Sequence, residues 1–431
     1  MLQVLKSSWA LLLGMLLLMV GNGLQSSLIG IRGAIEDFST GSLAIITSAY
    51  FAGFLFGSRL APEMIRRVGH VRVFAALGSF ISAIIILYPT LTEEWAWILL
   101  RVAFGFCFSG VYVTAESWLN NSATNETRGK ALSLYMIVQM VGIVSSQALL
   151  NVGDPGGFIL FVIPSVLVSL AFAPILLSVT PTPAFETTKG MSLKELYTVS
   201  PTGIVGIFLV GMVFGALFGM ASVYGTAAGM TVAEISIFVA AIFLGGMFLQ
   251  YPIGWMSDRI DRRVLVFAAA VGGVIAGLLG WAFGTNFEVL LISAFIMGGV
   301  SNPLYALLIA YTNDYLEAED MAAASGGLLF VNGTGAISGP ILVGWFMSTL
   351  GPVGFWAYLV LVMLAMACYV AYRMTQRASL FADEDDYDAV AYAPVLPTGT
   401  GVAVEAAAEY YADNADTDGS ENTNETEKSL D

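Results

Sequence analysis

Charge is the scarcest property of this sequence. Asp, Glu, Lys and Arg make up 11% of its 431 residues, while 57% are hydrophobic; a soluble globular protein is about a quarter charged. That balance excludes an ordinary water-soluble domain. Cysteine is rare as well: Cys107 and Cys368 sit far apart inside apolar runs, and His70 is the single histidine. A disulfide framework and a Cys/His metal site are both improbable on that count. There is no GKS or GKT and no glycine-rich loop after a strand, so nucleotide binding has no support. No catalytic residue, metal or cofactor is expected, and the chain does not read as an enzyme.

The net charge of −15 changes meaning once it is located. From Ser379 onward the chain holds 14 acidic residues and one lysine, whereas the preceding 378 residues hold 18 acidic and 16 basic groups. The body is close to neutral, which excludes a nucleic-acid partner. The tail, 379–431, shows no periodicity long enough to build a core and is expected to be acidic and disordered.

What the sequence has in abundance is long apolar runs. Twelve of them occur, at about 8–31, 42–61, 71–89, 95–118, 131–150, 158–178, 202–227, 234–254, 264–284, 288–312, 322–347 and 353–373. Each is long enough to cross a hydrocarbon core of about 30 Å as a helix. The first has no small-residue cleavage site before its polar interruption, so it is expected to stay in the membrane. Basic residues mark the sides. Lys6, Arg66, Arg67, Arg72, Arg128, Lys130, Lys189, Lys194, Arg259, Arg262, Arg263, Arg373 and Arg377 fall on one side and only Arg32 on the other. Cytoplasmic loops retain Lys and Arg, so both termini are expected to be cytoplasmic.

The chain divides in two. The stretch 179–201, with three prolines, separates the sixth run from the seventh, giving bundles at 1–178 and 202–373 joined by a cytoplasmic linker. An offset of 193 takes Gly53 to Gly246, Phe74 to Phe267, Gly105 to Gly298, Tyr112 to Tyr305, Asn120 to Asn313 and Gly142 to Gly335. Agreement on one offset predicts a duplicated six-helix unit. The expected fold is therefore an all-α integral membrane protein of twelve transmembrane helices in two pseudo-symmetric six-helix bundles.

Several motifs point further. Gly254-Trp-Met-Ser-Asp258-Arg259-Ile-Asp261-Arg262-Arg263 resembles the G-x-x-x-D-R-x-G-R-R signature of the major facilitator superfamily (MFS), with Asp261 in place of the second glycine. In the equivalent first-half segment, Pro62-Glu-Met-Ile-Arg66-Arg67-Val-Gly69-His70-Val-Arg72, Arg67 and Gly69 match; Arg66 replaces the acid, and Glu63 lies one turn before Arg67. Arg101 and Gly105 are similar to the R-x-x-x-G pattern of the family's fourth helix. Gly335, Gly339 and Pro340 are similar to the bend that its antiporters carry in span five, where this chain instead has Gly142, Ser146 and Gln147. Ala115-Glu116-Ser117-Trp118, Arg128-Gly129-Lys130 and Tyr251-Pro-Ile-Gly254 look like the YcaD-like bacterial subgroup.

The resemblance covers residues 1 to about 377. It implies a secondary transporter of the bacterial inner membrane, working by alternating access, with a small-molecule substrate, the lipid bilayer as its surroundings, a proton as one candidate coupling ion, and a monomer as the working unit. In the family, the acid and arginines of the signature hold a gate closed. That assigns a gate or coupling role to Arg66, Arg67, Arg72, Glu116, Asp258, Arg259, Arg262 and Arg263, with Glu116 expected to pair with Arg67 or Arg72.

Substrate candidates follow from the helical spacing. Arg101, Gly105, Ser109, Tyr112 and Glu116 share one face of span four, and a charged group inside a span usually faces a cavity or a partner. Asn22, Gln25 and Arg32 form a stripe on span one, with Arg32 within reach of Glu36. Tyr112 and Tyr305 are repeat-related, and Gln139, Asn302 and Asn332 lie near mid-span, where sites between repeats form. Asn22, Gln25, Arg101, Tyr112, Gln139, Asn302, Tyr305 and Asn332 are thus the candidate substrate residues. A polar or anionic metabolite is the first reading. Proton-coupled efflux of drugs and other amphipathic compounds is the alternative, and a transporter-like receptor signalling through the acidic tail is a third.

Overall fold

The computed structural model describes residues 2–122, 125–177, 191–376, 395, 399–400 and 402–404. In chain order the helices are α1 (Leu2–Ile35), α2 (Thr40–Val68), α3 (His70–Leu87), α4 (Glu94–Ser122), α5 (Asn125–Leu149), α6 (Ile159–Leu177), α7 (Leu193–Val199), α8 (Pro201–Ala227), α9 (Val232–Ser257), α10 (Arg262–Ala282), α11 (Phe287–Asn313), α12 (Ala318–Leu350) and α13 (Gly354–Gln376). A last helical turn covers 402–404. Among the described residues eleven helices are long and apolar enough to cross a membrane, and α6 adds a shorter apolar stretch, Ile159–Pro174. These twelve coincide with the twelve apolar runs. Helix is imposed by the medium, because a bilayer offers the backbone no hydrogen-bond partner other than itself. The remaining helix, α7, has seven residues and lies in the linker, started by a reciprocal cap between Ser192 and Glu195.

The helix boundaries carry the repeat. Shifted by 193, the first residues of α4 and α5 land on the first residues of α11 and α12. Packing repeats too: α2 lies on α4 as α9 lies on α11, and α1 lies on α5 as α8 lies on α12. Glycine notches set these approaches. A Cβ on Gly105 would strike the Tyr50 carbonyl of α2, and one on Gly298 the Ile242 carbonyl of α9; Gly142 abuts Met19 and Gly335 abuts Met212 at the same offset. Small residues let membrane helices approach to backbone contact, which explains why three of the six matches between the halves are glycines. Outward faces carry side chains such as Phe56, Phe248 and Trp345, all about 60% exposed, as a lipid-facing surface requires.

The halves meet through α2 and α12, α5 and α9, and α1 and α8. Their closest contacts lie toward the end opposite the basic loops. There Ser48 Oγ donates to the Ile337 carbonyl at 2.8 Å, Ser236 Oγ donates to the Gln147 carbonyl at 2.6 Å, and Gly30 sits against Ser222. Toward the basic-loop end a cavity of about 400 Å³ opens between α5 and α9, from Met140 to Trp255 and Asp258, while α2 and α12 stay in contact through Arg59, 4.4 Å over the Phe330 ring.

The tail differs in part from the disordered extension expected at 379–431. Val395, Thr400, Ala403 and Val404 are buried, because this stretch is apolar and uncharged within an otherwise acidic tail.

Candidate functional site

Arg101 lies two turns into α4, about 10 Å along the helix from its first residue. It is 4% exposed. Its Nη1 donates to Gln25 Oε1 of α1 at 2.9 Å, and its guanidinium stands 5.5 Å from the Tyr50 ring centre and 5.9 Å from that of Phe104. Among the described residues no carboxylate forms an ion pair with it, and its Nε has no hydrogen-bond partner. A buried cation held by an amide and two aromatic faces is incompletely compensated, since a neutral acceptor does not supply the charge that burial removes from water.

Arg101 lines a cavity of about 70 Å³ between the halves, together with Asn22, Tyr50, Tyr112 and Gln147 of the first half and Phe214, Phe218 and Phe243 of the second. Three sequence-derived candidates, Asn22, Arg101 and Tyr112, therefore share one chamber, and Gln25 stands directly behind Arg101. The Asn22 Oδ1 and Gln25 Nε2 atoms are buried without partners among the described residues. Ser27 Oγ donates to Gln147 Oε1 at 2.9 Å, tying α1 to α5 at the chamber wall.

The remaining candidates are placed differently. Asn332 lines a second, smaller space with Phe54, Leu55 and Leu329. Asn302 packs against Gly246, and its Nδ2 has no partner among the described residues. Gln139 is 2% exposed and its Oε1 is likewise unpartnered. Tyr305 lies close to Glu116, again with an unpartnered hydroxyl. The eight candidates thus form one tight group on the first half, with three buried amides and Tyr305 scattered around it. The sequence reading missed Tyr50 and the aromatic wall of Phe214, Phe218 and Phe243; in a chain with 27 phenylalanines nothing in the sequence sets these apart.

The basic-loop end holds the gate candidates. Glu63 takes ion pairs from Arg66 and, at 2.7 Å, from Arg67, the pairing that one-turn spacing offered. Arg72 is exposed. In the second half Arg262, 2% exposed, pairs with Asp314 at the end of α11 and more loosely with Asp258 at 3.9 Å. Arg263 pairs with Asp261 at 2.8 Å, and Arg259 lies over the Trp255 ring at 4.2 Å. Acids at these helix ends thus fix the start of α10 against the end of α11. The expected salt bridge from Glu116 to Arg67 or Arg72 is not formed. Glu116 is 1% exposed, and its carboxylate accepts from Tyr135 at 3.5 Å and from the backbone N–H and the hydroxyl of Thr400; burial inside the bundle takes it away from the exposed Arg72 and from Arg67, which pairs with Glu63 instead. Arg32 does pair with Glu36, at 2.6 Å, and also donates to the carbonyls of Pro155 and Gly156, bracing the loop between α5 and α6. Arg128 and Lys6 carry side chains outside the described set.

A profile of the Major Facilitator Superfamily matches residues 11–233 and 203–397. An "Uncharacterized MFS-type transporter YcaD" of Salmonella arizonae is 26% identical over 345 residues, 78% of this chain and 88% of that protein. The fold is similar to that of the nucleoside transporter NupG, with a TM-score of 0.68 at 13% identity over 85% of this chain and 98% of the other. It is also similar to that of the human organic anion transporter MFSD10, with a TM-score of 0.62 at 12% identity over 85% and 99%.

Proposed function

The chain belongs to the major facilitator superfamily and is YcaD-like within it, and from that membership we propose that it is a secondary transporter for a small polar, anionic metabolite. The observation that carries the substrate class is Arg101: a buried guanidinium in the inter-half chamber, with an amide and two rings as neighbours and no described carboxylate. An anionic group entering the chamber supplies the missing charge, and charge-assisted pairs are the strong ones. The unpartnered amide atoms of Asn22 and Gln25 add a donor and an acceptor for the polar remainder of the ligand.

The motion follows from the contacts. Here the polar contacts between the halves lie toward the end opposite the basic loops, and the larger cavity between α5 and α9 opens toward the basic-loop side. We assign that side to the cytoplasm of a bacterial inner membrane, which makes this the inward-facing state, with one chain as the working unit. Rocking to the other state breaks the Ser48–Ile337 and Ser236–Gln147 bonds and brings the charged helix ends around Glu63 and Asp258 together. Substrate shifts this equilibrium only through different affinity for the two states.

The cavity between α5 and α9 favours a second reading. Its methionines, its glycines and the lipid-exposed Tyr251 and Trp255 suit an amphipathic compound entering from the bilayer. Counterflow in proteoliposomes separates the two. Accumulation of a labelled carboxylate, sulfonate or phosphate, but not its neutral analogue, with loss in Arg101→Gln, is expected. Equal uptake of neutral and anionic compounds, or flux of apolar cations that survives Arg101→Gln, overturns the anion reading.

A further inference from the structure

Thr400 is fully buried although it lies in the tail, far beyond the last membrane helix. Its backbone N–H donates to Glu116 Oε2 at 3.0 Å and its hydroxyl donates to the same oxygen, while the Ala403 backbone is directed at that carboxylate as well. Val395, Ala403 and Val404 are buried, and Val402 packs on the same core. Three features of the sequence suit this stretch for docking. Residues 389–404 carry no charge, although the tail around them holds 14 acids. Pro394, Pro397, Gly399 and Gly401 disfavour a continuous helix, leaving N–H groups free to donate outward. Eighteen residues separate Gln376 from Val395, enough to span up to about 60 Å.

On the receiving side, Glu116 stands at the basic-loop end of α4, between Tyr135 of the first half and Tyr305 of the second. A buried carboxylate is tolerated when donors surround it, and here one residue of the tail supplies two. We propose that the buried surroundings of Glu116 are a peptide-binding site whose ligand is the chain's own tail around Thr400, seated through Val395, Thr400 and Val402–Val404, and that the docked tail covers Glu116 from the basic-loop side. Its consequence for solute movement, inhibition by the chain's own tail, rests on the transport reading. The occupancy itself does not. Tethering makes docking intramolecular, with an effective concentration in the mM range for short linkers, so even a weak site on the body can hold the tail.

The test is thiol labelling of purified protein in detergent, in a background with both native cysteines replaced. Tyr305→Cys, beside Glu116, reports access to this site. With the full chain it is expected to react slowly with a charged methanethiosulfonate, at least tenfold faster after truncation beyond Ala378, and slowly again when a synthetic peptide of residues 389–405 is added. Thr400→Asp in the full chain sets a second carboxylate against Glu116 and is expected to speed labelling as truncation does, without removing any of the fold. Thr400→Cys is expected to react at least tenfold more slowly than the exposed Lys194→Cys. Equal Tyr305→Cys rates with and without the tail, or a Thr400→Cys rate equal to that of Lys194→Cys, overturns the proposal. Because the readout is labelling, a chain that moves no solute sinks the transport reading while the rates still decide this one.

Discussion

Replacing Arg101 by methionine separates a ligand-binding arginine from a structural one. In the empty protein the change removes the 2.9 Å bond to Gln25 and the contacts with the Tyr50 and Phe104 rings. A hydrogen bond to a charged group contributes about 1.5–3 kcal/mol, and a desolvated cation–π contact up to about 2. Against that loss stands relief of a buried charge that no described carboxylate offsets, a penalty of several kcal/mol per ion. The terms nearly cancel, so the empty variant is expected within about 2 kcal/mol of the parent, as replacements of buried ions by apolar groups generally are. The loaded protein behaves otherwise. Losing a charge-assisted bond of about 1.5–3 kcal/mol weakens an anion by about 10- to 150-fold. At a ligand concentration 100 times the parental Kd, the parent gains about 2.7 kcal/mol and a hundredfold weaker site only about 0.4. Thermal and chemical unfolding with and without a panel of organic anions reads both quantities. An empty variant destabilised by more than about 4 kcal/mol, or an undiminished ligand-induced shift, refutes the reasoning and makes Arg101 a packing residue.

Three further outcomes are expected. Gly105→Ala and Gly298→Ala push a Cβ into the backbone of α2 and α9 and should each cost about 1–3 kcal/mol, whereas Gly326→Ala, with open space around it, should be neutral or stabilising by up to about 1; urea-dependent unfolding checks the contrast, and equal effects at all three positions contradict the notch argument. Asp314→Asn strips the buried Arg262 of its close ion-pair partner and should destabilise by about 3–5 kcal/mol, with Arg262→Met restoring much of the loss; a double-mutant cycle with no coupling argues against the pair. In cells, Thr92→Cys should react with an impermeant maleimide added outside and Lys194→Cys should not; the reverse pattern inverts the proposed orientation.

Much of the architecture was legible beforehand because the bilayer enforces it. An apolar run of about twenty residues in lipid has one solution, so twelve runs became twelve helices with few surprises beyond the short α7. The repeat was legible through its glycines, since Gly105 and Gly298, or Gly142 and Gly335, meet backbone or Met19 and Met212 and admit nothing larger. Local ion pairs were legible where one helical turn decides them, as with Glu63 and Arg67 or Arg32 and Glu36. The site was legible only in part. Lipid-facing and core-facing residues are equally apolar here, so hydrophobic periodicity does not say which face of a helix turns inward. The choice between Gln139 and Gln147 as a chamber residue, or the selection of Phe214, Phe218 and Phe243 as its wall, was therefore hidden.

By itself, then, the sequence determined the medium, the count and duplication of the helices, and the charges that mark one side, because each depends on composition or on spacing within one helix. Only the tertiary structure decided which helix rotations bring Gln25 to Arg101 across 76 positions, which end of the molecule is closed, and that Thr400 reaches Glu116 across 284. Those are agreements between distant segments, set by the fit of side chains into glycine notches and by the need of buried polar groups for partners. Neither leaves a periodic trace in a single chain.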